Sequence, residues 1–210
     1  MANKMIIGAA AGALSLFALT GAASAASVTF DSFVSNDSDP LGATVTVTDN
    51  MDGTFGVSLD LADSDEGTLT GFYLGTNKGL LCTDVSVAAG APSYTGCYDN
   101  PTDIPNNANL NGLISDYGVF DFALSYPIGG NDESILVDET DLPLTLFNVS
   151  SDGLTLDHFT SVGLRFQDSN APGGSEKLFS DTVAPIPVPA AGFMLLAGLG
   201  GLAAARRRKN

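Results

Sequence analysis

Two cysteines, one histidine and several runs of carboxylates are the side chains in this chain that could do chemistry. Cys82 and Cys97 have fourteen residues between them. There is no C-x-x-C, and His158, the only imidazole, is distant in sequence, so neither a metal pair nor a thiol nucleophile has support. In an exported chain such a pair is most simply a disulfide, and closing a loop of this size stabilises by about 3 kcal/mol in the chain-entropy account. His158 lies in Leu154-Thr155-Leu156-Asp157-His158-Phe159, at a strand entrance, without a distinctive Ser or Cys motif beside it. The G-x-S-x-G nucleophile elbow is also absent. Paired carboxylates can serve as acid and base in glycoside hydrolysis, but that chemistry depends on a separation in space that closeness in sequence does not establish. With no Trp in the chain, Tyr73, Tyr94, Tyr98 and Tyr117 are the aromatic side chains left to act as a sugar platform. No catalytic residue is expected, and the protein is expected not to be an enzyme.

The carboxylates raise a different chemistry. Asp37-Ser38-Asp39, Asp63-Ser64-Asp65-Glu66, Asp132-Glu133 and Asp138-Glu139-Thr140-Asp141 place hard oxygen donors close together, and Ca²⁺ takes six to eight of them. No segment matches the EF-hand loop, and the nearest, Asp49 to Thr54, reads better as a turn. In so acidic a chain such clusters also arise on solvated loops, so no residue is assigned as a metal ligand. No cofactor is expected, and Ca²⁺ is the one ion the clusters suit. N-x-S sequences begin at Asn36 and Asn148.

The elements that must position these groups follow a period of two. Val28 and Phe30, then Val45 and Val47, then Phe55, Val57, Leu59 and Leu61 alternate with polar residues or glycine, the pattern of half-buried strands. Asp49-Asn50-Met51-Asp52-Gly53-Thr54 suits a hairpin turn with Gly53 at positive φ. Further strands are expected at Thr68 to Leu74, Tyr117 to Leu124, Ser134 to Val137, Leu142 to Phe147 and His158 to Phe166. Between the two ends no stretch has a sustained amphipathic helix pattern. Seven or eight such strands predict an all-β fold, an antiparallel two-sheet sandwich of jelly-roll or Ig-like type. Two regions interrupt the strand spacing. Ala88 to Gly112 is too rich in turn formers for a strand, and Asp168 to Lys177 ends in Gly173-Gly174-Ser175-Glu176-Lys177-Leu178. Loops of the first kind are candidates for binding, which makes the Cys82 to Asn107 loop the seat of an alternative function as a calcium- or carbohydrate-binding module.

Composition divides the chain into three parts: 1–25, 26–182 and 183–210. Lys4 precedes an apolar stretch from Met5 to Leu19, and Ala23-Ser24-Ala25 has the small-x-small pattern of a secretory cleavage site, which predicts a signal peptide cut after Ala25. At the other end, Ala190 to Ala205 gives 16 uncharged residues before Arg206-Arg207-Arg208-Lys209. As a helix that run is about 24 Å long against a hydrocarbon core of about 30 Å, a short span that snorkelling basic side chains extend. The four cations are a stop-transfer signal that stays in the cytoplasm, leaving the rest outside. Between the ends lie all 24 acidic residues but only three of the eight basic ones, Lys78, Arg165 and Lys177, a net charge of −21. Nucleic acid is therefore not an expected partner, because binding it requires a basic patch. About 160 residues remain there, enough for one domain with a sizeable core.

Ile186-Pro187-Val188-Pro189-Ala190, the apolar run and the Arg206 to Lys209 cluster together resemble the PEP-CTERM sorting signal of bacterial envelope proteins, in its VPLPA-type variant. The match departs from the family pattern in having Ile and Val where Val and Leu are usual. The resemblance implies that a membrane-embedded exosortase recognises the motif, cuts near it and releases the protein to the cell surface or extracellular matrix. It implies a membrane-anchored precursor, an exosortase partner, and a structural or adhesive role in the envelope or biofilm, with extracellular polysaccharide as a further partner.

Overall fold

The computed structural model describes residues 25–62, 65–115, 117–127, 135–138, 143–168 and 174–183. Twelve strands are named in them: β1 Ser27–Phe30, β2 Val34–Ser35, β3 Ala43–Asp49, β4 Phe55–Leu61, β5 Glu66–Thr76, β6 Val85–Val87, β7 Gly96–Tyr98, β8 Phe122–Ser125, β9 Ile135–Asp138, β10 Leu144–Val149, β11 Phe159–Gln167 and β12 Ser175–Ser180. They form two antiparallel sheets. Sheet A has the order β1-β3-β4-β10-β6, and sheet B the order β2-β12-β11-β5-β8-β7, with β9 also paired to β5. The remaining regular elements described are four short 3-10 turns, and among the described residues no helix is long and apolar enough to cross a membrane.

Period-two patterning sets the sandwich. Val45 and Val47 of β3, Val57 and Leu59 of β4, and Val162, Leu164 and Phe166 of β11 are inaccessible to solvent and share one core. Phe147 of β10 meets Phe72 of β5 edge-on at 5.1 Å and Phe122 of β8 at 6.1 Å, so the two sheets are joined by the edge-to-face geometry that aromatic rings prefer. The β3–β4 hairpin runs in register from Ala43↔Leu61 to Asp49↔Phe55, and its turn places Met51 at φ 61° and Gly53 at φ 88°.

A third layer lies on the outer face of sheet B. Ile104, Ala108, Leu110 and Phe120 from the connection between β7 and β8 bury Tyr73 and Ala123 in a second cluster, with Tyr98, Tyr117 and Phe179 packed against it. The covering chain comes so close that a Cβ on Gly71 would stand 2.2 Å from the Ala108 carbonyl oxygen. On Gly75 it would stand 2.0 Å from that of Val119, so glycine is required at both positions.

Several strand boundaries differ from expectation. Tyr117 to Leu124 is not one strand: Tyr117–Val119 is a 3-10 turn, closed by Phe120 N–H on the Tyr117 carbonyl, and pairing begins at Phe122. His158 ends a 3-10 turn, and β11 starts at Phe159. The strands expected from Ser134 and Leu142 are described from Ile135 and Leu144. The interrupting regions 88–112 and 168–177 each contribute to a strand, β7 and β12. β2 and β6 were not expected; they are two and three residues long, too short to show a period.

Candidate functional site

The cysteines are joined as expected, with S–S 2.04 Å and Cα–Cα 5.7 Å. The bond ties the turn Cys82–Asp84 to β7, and Cys82 N–H also donates to Asp99 Oδ1 at 2.6 Å, so covalent and polar links hold the same corner. From there the chain crosses over sheet B, above a set of donors that rise from the sheet. Thr70 Oγ1 and Gln167 Nε2 donate to the Asn107 carbonyl at 2.9 and 3.1 Å, Tyr73 O–H to that of Ala108 at 3.1 Å, and Lys177 Nζ to that of Asn111. These bonds satisfy carbonyls that the crossing segment, lacking a strand partner, would otherwise leave unpaired.

That use of side chains removes Tyr73 as a sugar platform, because it is fully buried beneath the covering segment. Tyr117 is also engaged: its hydroxyl accepts from Leu110 N–H at 2.9 Å and donates to Asn111 Oδ1 at 3.0 Å. Tyr94 and Tyr98 are half-buried, packed against the main and second cores respectively. The Cys82 to Asn107 loop thus supplies β6 to sheet A, β7 to sheet B and, at Ile104, the start of the cover.

An open cleft of about 830 Å³ lies at one end of the sandwich, between the β3–β4 turn, the Cys82–Asp84 turn and the connection from β10 to β11. Asp49, Asp84 and Asp152 line it with Ser150, Ser151 and the apolar surfaces of Met51, Phe55 and Leu154. Two of its carboxylates already hold backbone: Asp49 Oδ1 accepts from Met51 N–H at 2.7 Å and Asp84 Oδ2 from Leu81 N–H at 2.9 Å. The lining suits a neutral, hydroxyl-rich or cationic ligand better than an anion, on charge complementarity.

His158 stands in a local turn. Its Nδ1 accepts from Thr155 N–H at 3.0 Å and lies 2.7 Å from Thr155 Oγ1, and the same hydroxyl bonds Asp157 Oδ1. That hydrogen bond from Thr155 holds the Asp157 carboxyl below the usual range. A catalytic triad needs the carboxylate on the second ring nitrogen, with the hydroxyl on the first. Here both groups converge on one threonine, which is capping rather than catalysis.

Of the expected calcium clusters, Asp37 Oδ1 accepts from Ser38 N–H at 2.7 Å, and Asp65 Oδ2 from Gly42 N–H at 2.7 Å. Asp63, Asp132, Glu133, Glu139 and Asp141 lie outside the described residues. Among the described residues no group of three or more His, Cys, Asp or Glu side chains is placed to hold a metal ion. The sorting motif Ile186 to Ala190, the basic cluster Arg206 to Lys209 and Ala23 are likewise outside the described residues. Ala25 is exposed, and the neighbouring Ala26 carbonyl accepts from Asp49 N–H at 2.9 Å, so sheet pairing starts one residue beyond the expected cleavage point.

Two carboxylates not singled out in the sequence are structural. Asp121 Oδ2 takes hydrogen bonds from Thr76 N–H, Thr76 Oγ1 and Leu80 N–H, closing the turn after β5. Glu176 is buried completely, accepting from Ser35 Oγ at 2.6 Å and Leu41 N–H at 2.9 Å. Its position was legible in principle, because Glu176, Leu178 and Ser180 share one face of β12. No protein-family model, curated protein or solved structure matches this chain.

Proposed function

We propose that this is an exported bacterial protein of the cell surface or extracellular matrix, sorted by an exosortase and non-enzymatic, with a structural or adhesive role. The observation that carries the reading is the tail: Ile186-Pro187-Val188-Pro189-Ala190, an uncharged run and Arg206-Arg207-Arg208-Lys209 in that order. A small-residue cleavage pattern at Ala23 and Ala25 supports export, as does an intact disulfide, a bond that persists in oxidising compartments. The Thr155 hydroxyl and the His158 imidazole are bonded to each other within a local turn.

Within the sandwich class, strand order supports the Ig-like member over the jelly roll. β3-β4-β10-β6 and β12-β11-β5 follow the A-B-E-D and G-F-C pairing of immunoglobulin-type sheets, with β1 added beside β3 and β8 and β7 added beside β5. Such a domain is a carrier of surface rather than a statement of chemistry. The second reading, a binding module, has one observation in its favour: the acidic cleft beside the disulfide corner.

Mass spectrometry of both termini of surface-released protein tests the proposal. The mature form is expected to begin near Ala26 and to lack Phe193 and everything after it. Replacing Pro187 and Pro189 with Ala leaves export intact and retains uncut precursor in the membrane. Surface-released protein that still carries Arg206 to Lys209 would rule sorting out.

A further inference from the structure

The outer face of sheet B holds a charge arrangement that sorting and scaffolding leave without a use. Of the three basic residues between 26 and 183, Arg165 and Lys177 are direct partners across β11 and β12. Like charges so placed repel. Burial together with the Arg165 charge holds the Lys177 ammonium below its usual range. Their described hydrogen bonds go to carbonyl oxygens, Arg165 Nη1 to Glu176 at 3.3 Å and Lys177 Nζ to Asn111, and Arg165 Nε is buried without a partner. Among the described residues no carboxylate is bonded to either side chain.

The segment seated on Lys177 is Asn111-Gly112. Gly112 is at φ 89°, and a Cβ there would lie 4.0 Å from Lys177 Nζ. Tyr117 O–H, held by Leu110 N–H, donates to Asn111 Oδ1. We propose that Asn111 is a self-modification site, converted without an enzyme to aspartate or isoaspartate, and that the new carboxylate supplies the counter-charge to Lys177.

The steps balance with water as the only co-reactant. The Gly112 backbone nitrogen gives its proton to water and bonds to Asn111 Cγ, Nδ2 takes a proton back from water as the Cγ–Nδ2 bond breaks, and it leaves as ammonia with a cyclic imide behind. Water then adds to one of the two imide carbonyls and reopens the ring as a carboxylate. No atom changes oxidation state. Glycine in the next position presents no Cβ to crowd the attack. The Tyr117 hydroxyl polarises the amide carbonyl as a donor to the oxyanion that forms on it.

Peptide mapping of the purified, folded protein during incubation at neutral pH tests this. Asn-to-Asp conversion is expected at Asn111, with isoaspartate present, several-fold faster than at Asn50 and Asn148, whose following residues are Met51 and Val149. Tyr117→Phe, which keeps the ring, is expected to slow it several-fold. Asn111→Asp is expected to raise the Lys177 pKa, read by NMR titration, and high salt should erase that rise. The proposal is overturned if Asn111 stays an amide in the folded protein while a free peptide of the same sequence converts. Ammonia loss that yields a branched Lys177–Asn111 peptide overturns it too, since the amine would then be the nucleophile, and so does a Lys177 pKa unmoved by Asn111→Asp.

Discussion

At the scale of single residues, Glu176 is a carboxyl that burial works against. Its burial, reinforced by the carboxylates of Asp37 and Asp65, pushes its carboxyl above the usual glutamate range, against the two hydrogen bonds from Ser35 and Leu41 that favour the charged form. The folded state therefore keeps that proton to higher pH than the unfolded chain does. Stability must fall as pH rises from the ordinary glutamate range through the folded value, since the folded state binds more protons in that window. Glu176→Gln cannot ionise, so its stability relative to wild type is expected to improve from acid to neutral pH. Chemical denaturation across that range checks the sign, and parallel curves for the two proteins would refute it. Glycines give a second residue-scale test. Gly71→Ala sets a Cβ against backbone oxygen at 2.2 Å, whereas Gly56→Ala meets nothing nearer than Asn50 Oδ1 at 3.3 Å. Overpacking against backbone is expected to cost about 1–3 kcal/mol at Gly71, and the surface side chain at Gly56 can swing aside. Equal denaturation midpoints for the two variants would show that the covering segment yields freely.

At the scale of elements, the disulfide decides the fate of a sheet edge. β7 is three residues long and pairs only with β8, and Cys97 is its central residue. Cys82→Ser and Cys97→Ser are each expected to lower stability by about 3 kcal/mol, and the double variant by no more than either, because one bond is lost in all three. Hydrogen exchange should quicken at Gly96 to Tyr98 while β5 and β11 keep their protection; unchanged exchange at β7 would mean that pairing alone holds the edge. The same elements show what could be read in the sequence. β3, β4 and β11 are long enough to display a period of two, and their buried faces were legible from Val45, Val57 and Leu164 outward. β7 and β12 were missed for a physical reason: turn formers surround them, and Gly96, Cys97 and Tyr98 are held by a disulfide and by β8 rather than by apolar alternation. The third layer was equally illegible, because Ile104, Ala108 and Leu110 are spread among polar residues and gain a common face only on the sheet, where Ala108 lies on Gly71 and Leu110 on Gly163. Of the candidate sites, the disulfide could be read from spacing and compartment. The cleft could not, since Asp49, Asp84 and Asp152 come together from three separate turns.

At the scale of the whole molecule, the governing quantity is a charge of −21 between the two ends of the chain. Such self-repulsion keeps the domain soluble and works against its compactness. Three strands at sheet edges, β2, β6 and β7, are only two or three residues long, which leaves little unpaired backbone for another chain to join. On the proposed reading, a protein displayed at high local concentration needs both devices. If the carboxylates act only through the summed field, sodium chloride should raise the melting temperature by screening, calcium at equal ionic strength should do no more, and chelation should change nothing. If calcium is held at a site, saturation at a hundred times the dissociation constant adds about 2.7 kcal/mol of stability by mass action, a shift that screening at matched ionic strength does not imitate. The first outcome is expected, because Asp49, Asp65 and Asp84 are already bonded to backbone N–H groups and would have to share their oxygens with an ion. A saturable, calcium-specific rise in melting temperature would turn the argument toward a binding module. Its place would then be found by neutralising Asp49, Asp84 and Asp152 in the cleft, and separately Asp63, Asp65 and Glu66, since only the set that abolishes the rise can hold the ion.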